Sequence, residues 1–316
     1  MKERRKRNMS RTGLLFMFCL LMLCGCAQIT GFMENTEVSG REVESLAAEK
    51  EDDTVLLGGM PVGIYMETDG VLVLDTEKMT GMDGKEYTPA QGVVSSGDYI
   101  TEVNHQKIEG KKQLMDLVEH LDGEKVLLTV RRENTILEKK LTPVQISKGN
   151  YRLGIWVRDN VQGLGTITFL TKNNTFAALG HGIHDIDTST LLTIKRGTLY
   201  RTSIQKVQKG SKGNPGTMEG IIVYNRFHRL GVIEKNTDAG IYGELNSDRS
   251  WIGEEVPIQV AKKEEIKTGE ARIRCYIDGE VKEYTICITQ IDKESDQVNK
   301  GMVIQVTDTE LLEKTG

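Results

Sequence analysis

The stretch IWVRDNVQGLGTITFLT, residues 155–171, is typical of the C-terminal half of the chain. It contains two β-prone runs, IWVRD and GTITFLT, with Asn and Gly between them. Similar short runs, separated by Gly, Asn or Asp, follow as TFAAL, TLLTI, LYRTSIQKV, EGIIVY, GVIE, VPIQVA, ARIRCYI, EYTICITQI and MVIQVT. Many short strands with frequent turns are typical of a barrel or a sandwich. Residues 150–316 are therefore predicted to form an all-β domain.

The composition fits a globular protein with many turns. A chain of 316 residues suits two moderate domains, each with its own core. Hydrophobic residues make up 38% of the chain, and 33 Gly against 5 Pro indicate turns rather than Pro-rich linkers. We expect a mainly β protein with an N-terminal export segment.

The first 26 residues differ from the rest. Six basic residues precede an apolar run, LLFMFCLLMLCGC, which begins at Leu14 and ends near Cys26. This arrangement is typical of a secretory signal or a membrane anchor, although the run is shorter than the about 20 apolar residues of a stable span. The Leu-Cys-Gly-Cys sequence that ends it also resembles a bacterial lipobox, in which Cys26 would be lipidated. We expect export and membrane attachment through residues 1–26, with the polar residues 27–54 as a stalk.

The charge distribution argues against nucleic acid as a partner. Residues 1–25 carry six basic residues and one acidic residue, whereas the whole chain has a net charge of −5. The remainder is therefore acidic, with a net charge of −10. Binding to phosphates needs clustered positive charge.

Only two of the five Cys lie outside the export segment, Cys275 and Cys287. A hairpin that turns at Asp278-Gly279 would place Cys275 opposite Lys282 and leave Cys287 several residues away. A disulfide needs closer approach, so we expect both thiols to be free and buried.

Residues 55–145 show a different pattern, predicted as an α+β domain. VLLGGMPVGIYMETDGVLVL contains two apolar runs broken by Gly-Gly and Asp-Gly, which predicts strands. After Gly110, apolar residues follow the spacing of an amphipathic helix at Leu114, Leu117, Val118 and Leu121. KVLLTVRRE and TILEKKLTPV predict two further strands.

The segment SSGDYITEVNHQKIEG resembles the Gly-Asp-x-Ile-x-x-Val-Asn segment of bacterial PDZ domains. A PDZ domain binds an extended peptide by adding it to a sheet edge beside a helix. The resemblance implies that GGMPVGIYM supplies the groove strand, with Gly63, Ile64 and Tyr65 offering backbone groups. The helix face near Leu114 and Val118 would line a pocket, whereas Leu117 and Leu121 are expected in the core.

The stretch TFAALGHGIHD, residues 175–185, holds two of the five His. His181 and His184, with Asp185 beside them, could be read as a zinc site. The spacing is poor for one, because residues i and i+3 of a strand point to opposite faces and helical zinc pairs are usually at i and i+4. We expect no metal and no cofactor. The alternative is a general base in a tight loop, which Gly180 and Gly182 would permit.

A general base of this kind needs a carboxylate that orients the imidazole. On the residues alone Asp185, Asp187 and Asp238 all compete for this role, with Asp185 ahead of Asp308. The chemistry also needs a nucleophile within hydrogen-bond reach.

Four blocks resemble, in order, the signature blocks of the stage IV sporulation protein B (SpoIVB) peptidases: WVRDNVQGLGTITF, FAALGHGIHDIDT, KGSKGNPG and GVIEKNTDAGIYG. These are serine peptidases with an N-terminal anchor and a PDZ domain. The resemblance, over about residues 50–316, implies a trypsin-like β-fold and cleavage of a partner protein between the two membranes of the developing spore. That cleavage triggers sigma-factor processing. The family's base falls on His181 and its orienting carboxylate on Asp308, while His184 stands where the family usually has a small residue.

The sequence does not contain the segment that carries the family's nucleophilic serine. In the family it lies in a Gly-Met-Ser-Gly-Ser-Pro segment shortly after the stretch that matches LLEKTG, and this sequence ends there, at Gly316. Ser95, Ser96 and Ser211 lack the flanking glycines. We therefore expect an incomplete peptidase domain that is inactive as given. The alternative is a non-catalytic PDZ protein that binds peptides, or a decayed peptidase.

Overall fold

The computed structural model describes residues 54–253, 255–295, 297 and 300–316. The strands are β1 (Thr54–Leu57), β2 (Pro61–Thr76), β3 (Met79–Thr80), β4 (Glu86–Tyr87), β5 (Tyr99–Val103), β6 (Gln106–Lys107), β7 (Val126–Arg132), β8 (Thr135–Leu141), β9 (Val144–Ser147), β10 (Asn150–Arg152), β11 (Ile155–Leu170), β12 (Thr175–Ala178), β13 (Ile194–Tyr200), β14 (Thr202–Gln208), β15 (Thr217–Ile222), β16 (Arg229–Thr237), β17 (Gly240–Leu245), β18 (Pro257–Gln259), β19 (Gly269–Ile277), β20 (Glu280–Ile291) and β21 (Met302–Val306). The helices are α1 (Lys111–Glu119) and α2 (Thr309–Thr315), with single 3-10 turns at Arg226–His228 and Lys263–Glu265. The predicted mainly β fold is confirmed.

Six antiparallel strands close into a barrel. The order around it is β2, β11, β12, β17, β16 and β13, and β13 pairs with β2 to complete the ring. Alternate side chains of these strands fill the interior. The buried residues include Val62, Ile64, Met66, Ile167, Phe176, Leu199, Ile233 and Ile241.

Residues 155–170, in which the sequence predicts two short strands, form one long strand, so that prediction is wrong. β11 runs for 16 residues and pairs with β2 from Ile155 to Thr166. Gly165 allows close packing rather than a turn, since a Cβ there would lie 2.6 Å from Ile64 Cδ1. Register shifts near Trp156 and Arg158 bend the strand without ending it.

A second apolar core surrounds α1 and the strands β5, β7 and β8. From Val71 onward β2 pairs with β5, β5 pairs with β7, and β7 pairs with β8, all antiparallel. The core contains Val71, Val73, Ile100, Val103, Leu114, Val118, Val126, Leu128 and Val130. The helix and the two strands predicted after it are found as α1, β7 and β8, whereas the break predicted at Asp-Gly is wrong because β2 continues through Asp69 and Gly70.

The two cores share β2 and β11. In β2, residues 62–66 fill the barrel and Val71 and Val73 fill the second core. In β11, Ile155 and Val157 pack against the second core, whereas Ile167 lies inside the barrel. Each core therefore contains residues from both sides of residues 145–150.

The amphipathic helix predicted after Gly110 is confirmed as α1. Leu114 and Val118 are buried, and Leu117 and Leu121 pack against the same core. The carboxylate of Asp159 accepts a hydrogen bond from the backbone N–H of Lys111 at 2.7 Å. A negative charge at this end of a helix is favourable because the helix dipole is positive there.

A three-stranded antiparallel sheet, β19–β20–β21, carries α2 beside it. The hairpin between β19 and β20 turns at Asp278 and Gly279, which have φ of 54° and 91°. Cys275 lies opposite Lys282, and both Cys275 and Cys287 are free thiols, as predicted. They are half-buried, and burial raises the pKa of Cys275 above its usual value.

The predicted export segment, residues 1–26, and residues 27–53 of the predicted stalk lie outside the described residues. In the part of the chain that is described, no helix has the length and the apolar character needed to cross a bilayer.

Candidate active site

The loop between β12 and β13 presents His181 immediately after a barrel strand. Two consecutive residues adopt left-handed backbone, Leu179 with φ of 75° and Gly180 with φ of 73°. This conformation is uncommon for a leucine, and here the Leu179 N–H donates to the Thr166 carbonyl at 3.0 Å. The chain therefore turns sharply where β12 ends and leaves the His181 side chain exposed.

At Gly182 the loop packs closely against the turn between β16 and β17. Its N–H donates to the Asp238 carbonyl at 3.1 Å. A Cβ at this position would lie 2.5 Å from both the Thr237 carbonyl oxygen and Leu191 Cδ1. The two glycines of Gly-His-Gly thus have separate roles: Gly180 allows the left-handed turn and Gly182 allows the close approach.

Both imidazoles of the loop face one carbonyl. The Nδ1 atoms of His181 and His184 lie 3.0 and 3.2 Å from the Gly182 carbonyl oxygen. A carbonyl oxygen only accepts hydrogen bonds, so the Nδ1 that bonds to it must carry the proton. In a neutral His181 ring this leaves Nε2 unprotonated, which is the nitrogen that a general base needs.

His184 differs from His181 in its carboxylate neighbour. Its Nε2 lies 3.7 Å from Asp238 Oδ1, and both side chains are substantially exposed. Within the described ranges, no three side chains of His, Cys, Asp or Glu are grouped so that they could hold a metal ion.

Asp185 holds the loop through a buried ion pair. Its side chain is fully buried, pairs with Arg158 of β11, and accepts hydrogen bonds from the N–H groups of Asp187 and Thr188 at 3.0 and 2.9 Å. Arg158 also pairs with Asp187 at 2.8 Å. These two carboxylates are therefore occupied by Arg158 and stabilise the loop, although on the residues alone both competed as partners of His181.

Asn236 of β16 fastens the same loop from the other side. Its Oδ1 accepts from the Ile183 N–H at 2.9 Å, and its Nδ2 donates to the carbonyls of Ile183 and Leu192 at 2.9 and 3.0 Å. The sequence analysis did not identify this residue. The one available signal was its place in GVIEKNTDAGIYG, where the density of glycines indicates close backbone packing.

Replacing Asn236 with alanine is expected to lower the free energy of unfolding by about 2–3 kcal/mol, because the Ile183 N–H and the Leu192 carbonyl lose their partner and the Ile183 carbonyl keeps only the Leu192 N–H. Asn246→Ala is the matched control, since its exposed Nδ2 donates only to the Arg229 carbonyl. Urea unfolding of the two variants measures the difference. Equal losses would mean that Asn236 does not fasten the loop.

Asp308 lies at the start of α2 rather than beside His181. Its Oδ1 accepts from the Leu311 N–H at 3.1 Å, which caps the helix, and its Oδ2 lies 3.4 Å from the Thr285 nitrogen. Among the described residues, no hydrogen bond or ion pair joins Asp308 to His181. The orienting role of Asp308 thus stays a prediction from the resemblance.

The prediction that Gly63, Ile64 and Tyr65 form a peptide-binding groove strand is wrong. These residues of β2 pair with β11 on one edge and with β13 on the other, so no edge is left for a peptide. Ile64 fills the barrel, and Gly63 is packed against Ile222. Tyr65 is half-buried, and burial raises its pKa above the usual value.

Leu114 and Val118 do not line an open pocket, because they are 5% and 8% exposed and belong to the second core. An unpaired edge lies elsewhere. β11 pairs with β2 along residues 155–160, and no other strand of the described chain pairs with the opposite edge of this segment. The N-terminus of α1 lies beside this part of β11, joined to it by the hydrogen bond from Lys111 to Asp159.

Parts of this chain are similar to known proteins. A protein of Helicobacter pylori named "Putative zinc metalloprotease" is 28% identical over 180 residues, which cover 50% of this chain and 50% of that protein. The chain thus spans half the length of this relative. Among solved structures, the PDZ domain of the SdrC-like protein from Listeria monocytogenes is 24% identical, with a TM-score of 0.22, and the match covers 28% of this chain and 87% of that one.

The family described as SpoIVB peptidase S55 matches residues 149–316. This range includes the loop with His181, the turn with Asn236 and the helix that Asp308 caps. It covers just over half of the sequence. The chain therefore belongs to the SpoIVB peptidase S55 family.

Proposed function

We propose that the chain is part of a serine endopeptidase of sporulation signalling, tethered to a membrane by its N-terminus. It would cleave a partner protein between the two membranes of the developing spore and so trigger sigma-factor processing. The observation that carries the proposal is the geometry of His181, which the loop after β12 holds exposed at the end of a barrel strand with Nδ1 facing a carbonyl.

In this mechanism His181 acts as the general base and then as the general acid. Its Nε2 takes the proton of the serine hydroxyl as the oxygen attacks the peptide carbonyl, and later returns a proton to the leaving amine. The imidazole is charged between these steps, so a carboxylate that replaces the Gly182 carbonyl at Nδ1 would stabilise it. We assign this role to Asp308 on the family resemblance.

The nucleophile would come from residues after Gly316. By resemblance, a Gly-Met-Ser-Gly-Ser-Pro segment supplies the serine and the backbone N–H groups of an oxyanion hole. In the described structure Asp308 caps α2, so the proposal requires the downstream segment to bring α2 and the His181 loop together.

The name of the Helicobacter pylori relative raises zinc chemistry as a competing mechanism. We favour the serine mechanism because the chain belongs to the SpoIVB peptidase S55 family, whose signature blocks the sequence resembles and whose members are serine peptidases. The two mechanisms respond differently to chelators, so one experiment separates them.

The test is to read the gene past the codon for Gly316 and to express the complete chain. We expect an open frame into a Gly-x-Ser-Gly segment, and a fluorophosphonate probe should label that serine with or without a zinc chelator. A stop codon directly after Gly316, or a complete chain that hydrolyses peptides only without the chelator, would contradict the proposal.

A second candidate function is peptide binding without cleavage. It is favoured by the unpaired edge of β11 at residues 155–160, where an extended peptide could add beside α1. Protection of these amides from hydrogen exchange by a bound peptide that stays intact would support this function over the first.

A further inference from the structure

The hairpin of β14 and β15, with the loop that follows it, exposes several apolar side chains. Five residues in the short segment 218–227 are more than 40% exposed: Met218, Ile221, Val223, Tyr224 and Phe227. Single exposed apolar residues are common on protein surfaces, whereas a concentration of this kind marks an interaction surface.

Packing against the barrel keeps this surface presented to solvent. Ile222 packs against Gly63, where a Cβ would lie 2.5 Å from Ile222 Cγ2. Because successive side chains of a strand alternate, the neighbouring Ile221 faces away from the barrel. Tyr224 is held edge-on against Tyr65 and Tyr200, with ring centroids 5.7 and 5.2 Å apart. The apolar side chains are therefore exposed without any rearrangement.

The same part of the chain is strongly basic, and we call residues 201–229 the basic hairpin. It contains six Lys or Arg residues and one acidic residue, Glu219, in a chain with a net charge of −5. Lys206, Lys209 and Lys212 are exposed, and none of them forms an ion pair with any residue that the structure describes. Their charges are left for an external partner.

The cations and the apolar side chains lie together. Lys206 is opposite Glu219 in the β14–β15 register, and residues two apart on a strand share a face, so Lys206 and Ile221 lie on the same outward face. The Arg226 guanidinium lies over the Phe227 ring, 4.7 Å from its centroid. Phe227 is 77% exposed. An aromatic ring that carries a cation suits the boundary between lipid headgroups and acyl chains.

We infer that the basic hairpin docks on the anionic headgroups of a lipid bilayer. The lysines pair with lipid phosphates or carboxylates, while Phe227 and Ile221 enter the interface. The docked surface would hold the barrel, and with it the His181 loop, in a fixed orientation to the membrane. This inference does not depend on peptidase activity.

Two features favour a bilayer over other anionic partners. Nucleic acid would use the lysines but leave the exposed aliphatic side chains in water. The apolar run at residues 14–26, outside the described part, is predicted to attach the chain to a membrane. Attachment there would give the hairpin a high effective concentration of lipid.

The experiment uses the full chain with Phe227→Trp, bound to vesicles that contain brominated lipids, which quench nearby indole. In vesicles with an anionic lipid such as phosphatidylglycerol, we expect the added fluorescence to be quenched at least twofold more than in vesicles of phosphatidylcholine alone. The triple variant Lys206→Glu, Lys209→Glu, Lys212→Glu should remove this difference. Tyr87→Trp, in β4, is the matched control and should show no dependence on lipid charge.

Attachment through the N-terminus is common to all these samples, so it cannot produce the difference between positions 87 and 227. Equal quenching in both kinds of vesicle, or quenching that survives the three Lys→Glu changes, would overturn the inference. Absence of quenching at position 227 in anionic vesicles would also overturn it and would point to an acidic protein as the occupant. Circular dichroism of each variant checks that the barrel is folded.

Discussion

Replacing His181 with alanine is expected to abolish peptide hydrolysis by the chain extended through the predicted serine segment. Nδ1 of His181 lies 3.0 Å from the Gly182 carbonyl oxygen, so Nε2 is the nitrogen available to take the serine proton. Without this base the value of kcat/KM should fall by about 10⁴-fold or more. A peptide-cleavage assay measures the change, after urea unfolding has shown that the variant keeps its stability.

His184→Ala is the matched control for this variant. His184 lies in the same loop and faces the same carbonyl at 3.2 Å, but its Nε2 lies near Asp238. We expect His184→Ala to keep turnover within about tenfold of the parent chain, because it removes a side chain near His181 but leaves the general base in place. Comparable losses for the two histidines, or full activity after His181→Ala, would contradict the assignment of the base.

Replacing Asp308 with asparagine is expected to lower kcat of the same extended chain by about 10⁴-fold, because an amide neither fixes the imidazole tautomer nor stabilises its charge. The free energy of unfolding should hardly change, because asparagine caps a helix as well as aspartate does. Asp308→Ala should lose the same activity and a further stability of about 1 kcal/mol through loss of the cap to Leu311.

This pair of variants separates the two roles that Asp308 could have. Full turnover after Asp308→Asn would mean that the carboxylate only caps α2, as it does in the described structure. Asp185→Asn makes a useful comparison. The Asp185 side chain is buried and paired with Arg158, so this replacement should lower the free energy of unfolding, which Asp308→Asn should not.

Local signals predicted the elements whose pattern is contained in a short stretch of sequence. The apolar spacing after Gly110 predicted α1, and Asp278-Gly279 predicted the hairpin that leaves Cys275 opposite Lys282. The partners of the hairpin strands are close in sequence, whereas the apolar face of α1 packs on distant strands that its own spacing does not identify. Gly180 and Gly182 likewise predicted that His181 lies in a tight loop.

The errors arose where distant parts of the chain pair. The glycines of β11 were read as turn residues, whereas both lie inside the strand and Gly165 faces Ile64 of β2, about a hundred residues earlier. The segment with Gly63 and Ile64 has the local character of a groove strand. Whether its two edges are free depends on β11 and β13, which no local pattern reports.

The candidate site shows the same limit. Asn236 is 53 residues from Ile183, and Arg158 is 27 residues from Asp185. Polar residues at such separations give no periodic signal, so neither contact could be predicted without the fold. The family resemblance supplied His181 and Asp308, but not the residues that hold the loop.

The long strands β2 and β11 have a consequence for how this molecule can be divided. Each strand contributes to both cores, so a cut at residues 145–150 leaves each piece without a strand that completes its core. Neither piece is therefore expected to fold when it is expressed alone, and the two cores should melt in one cooperative transition.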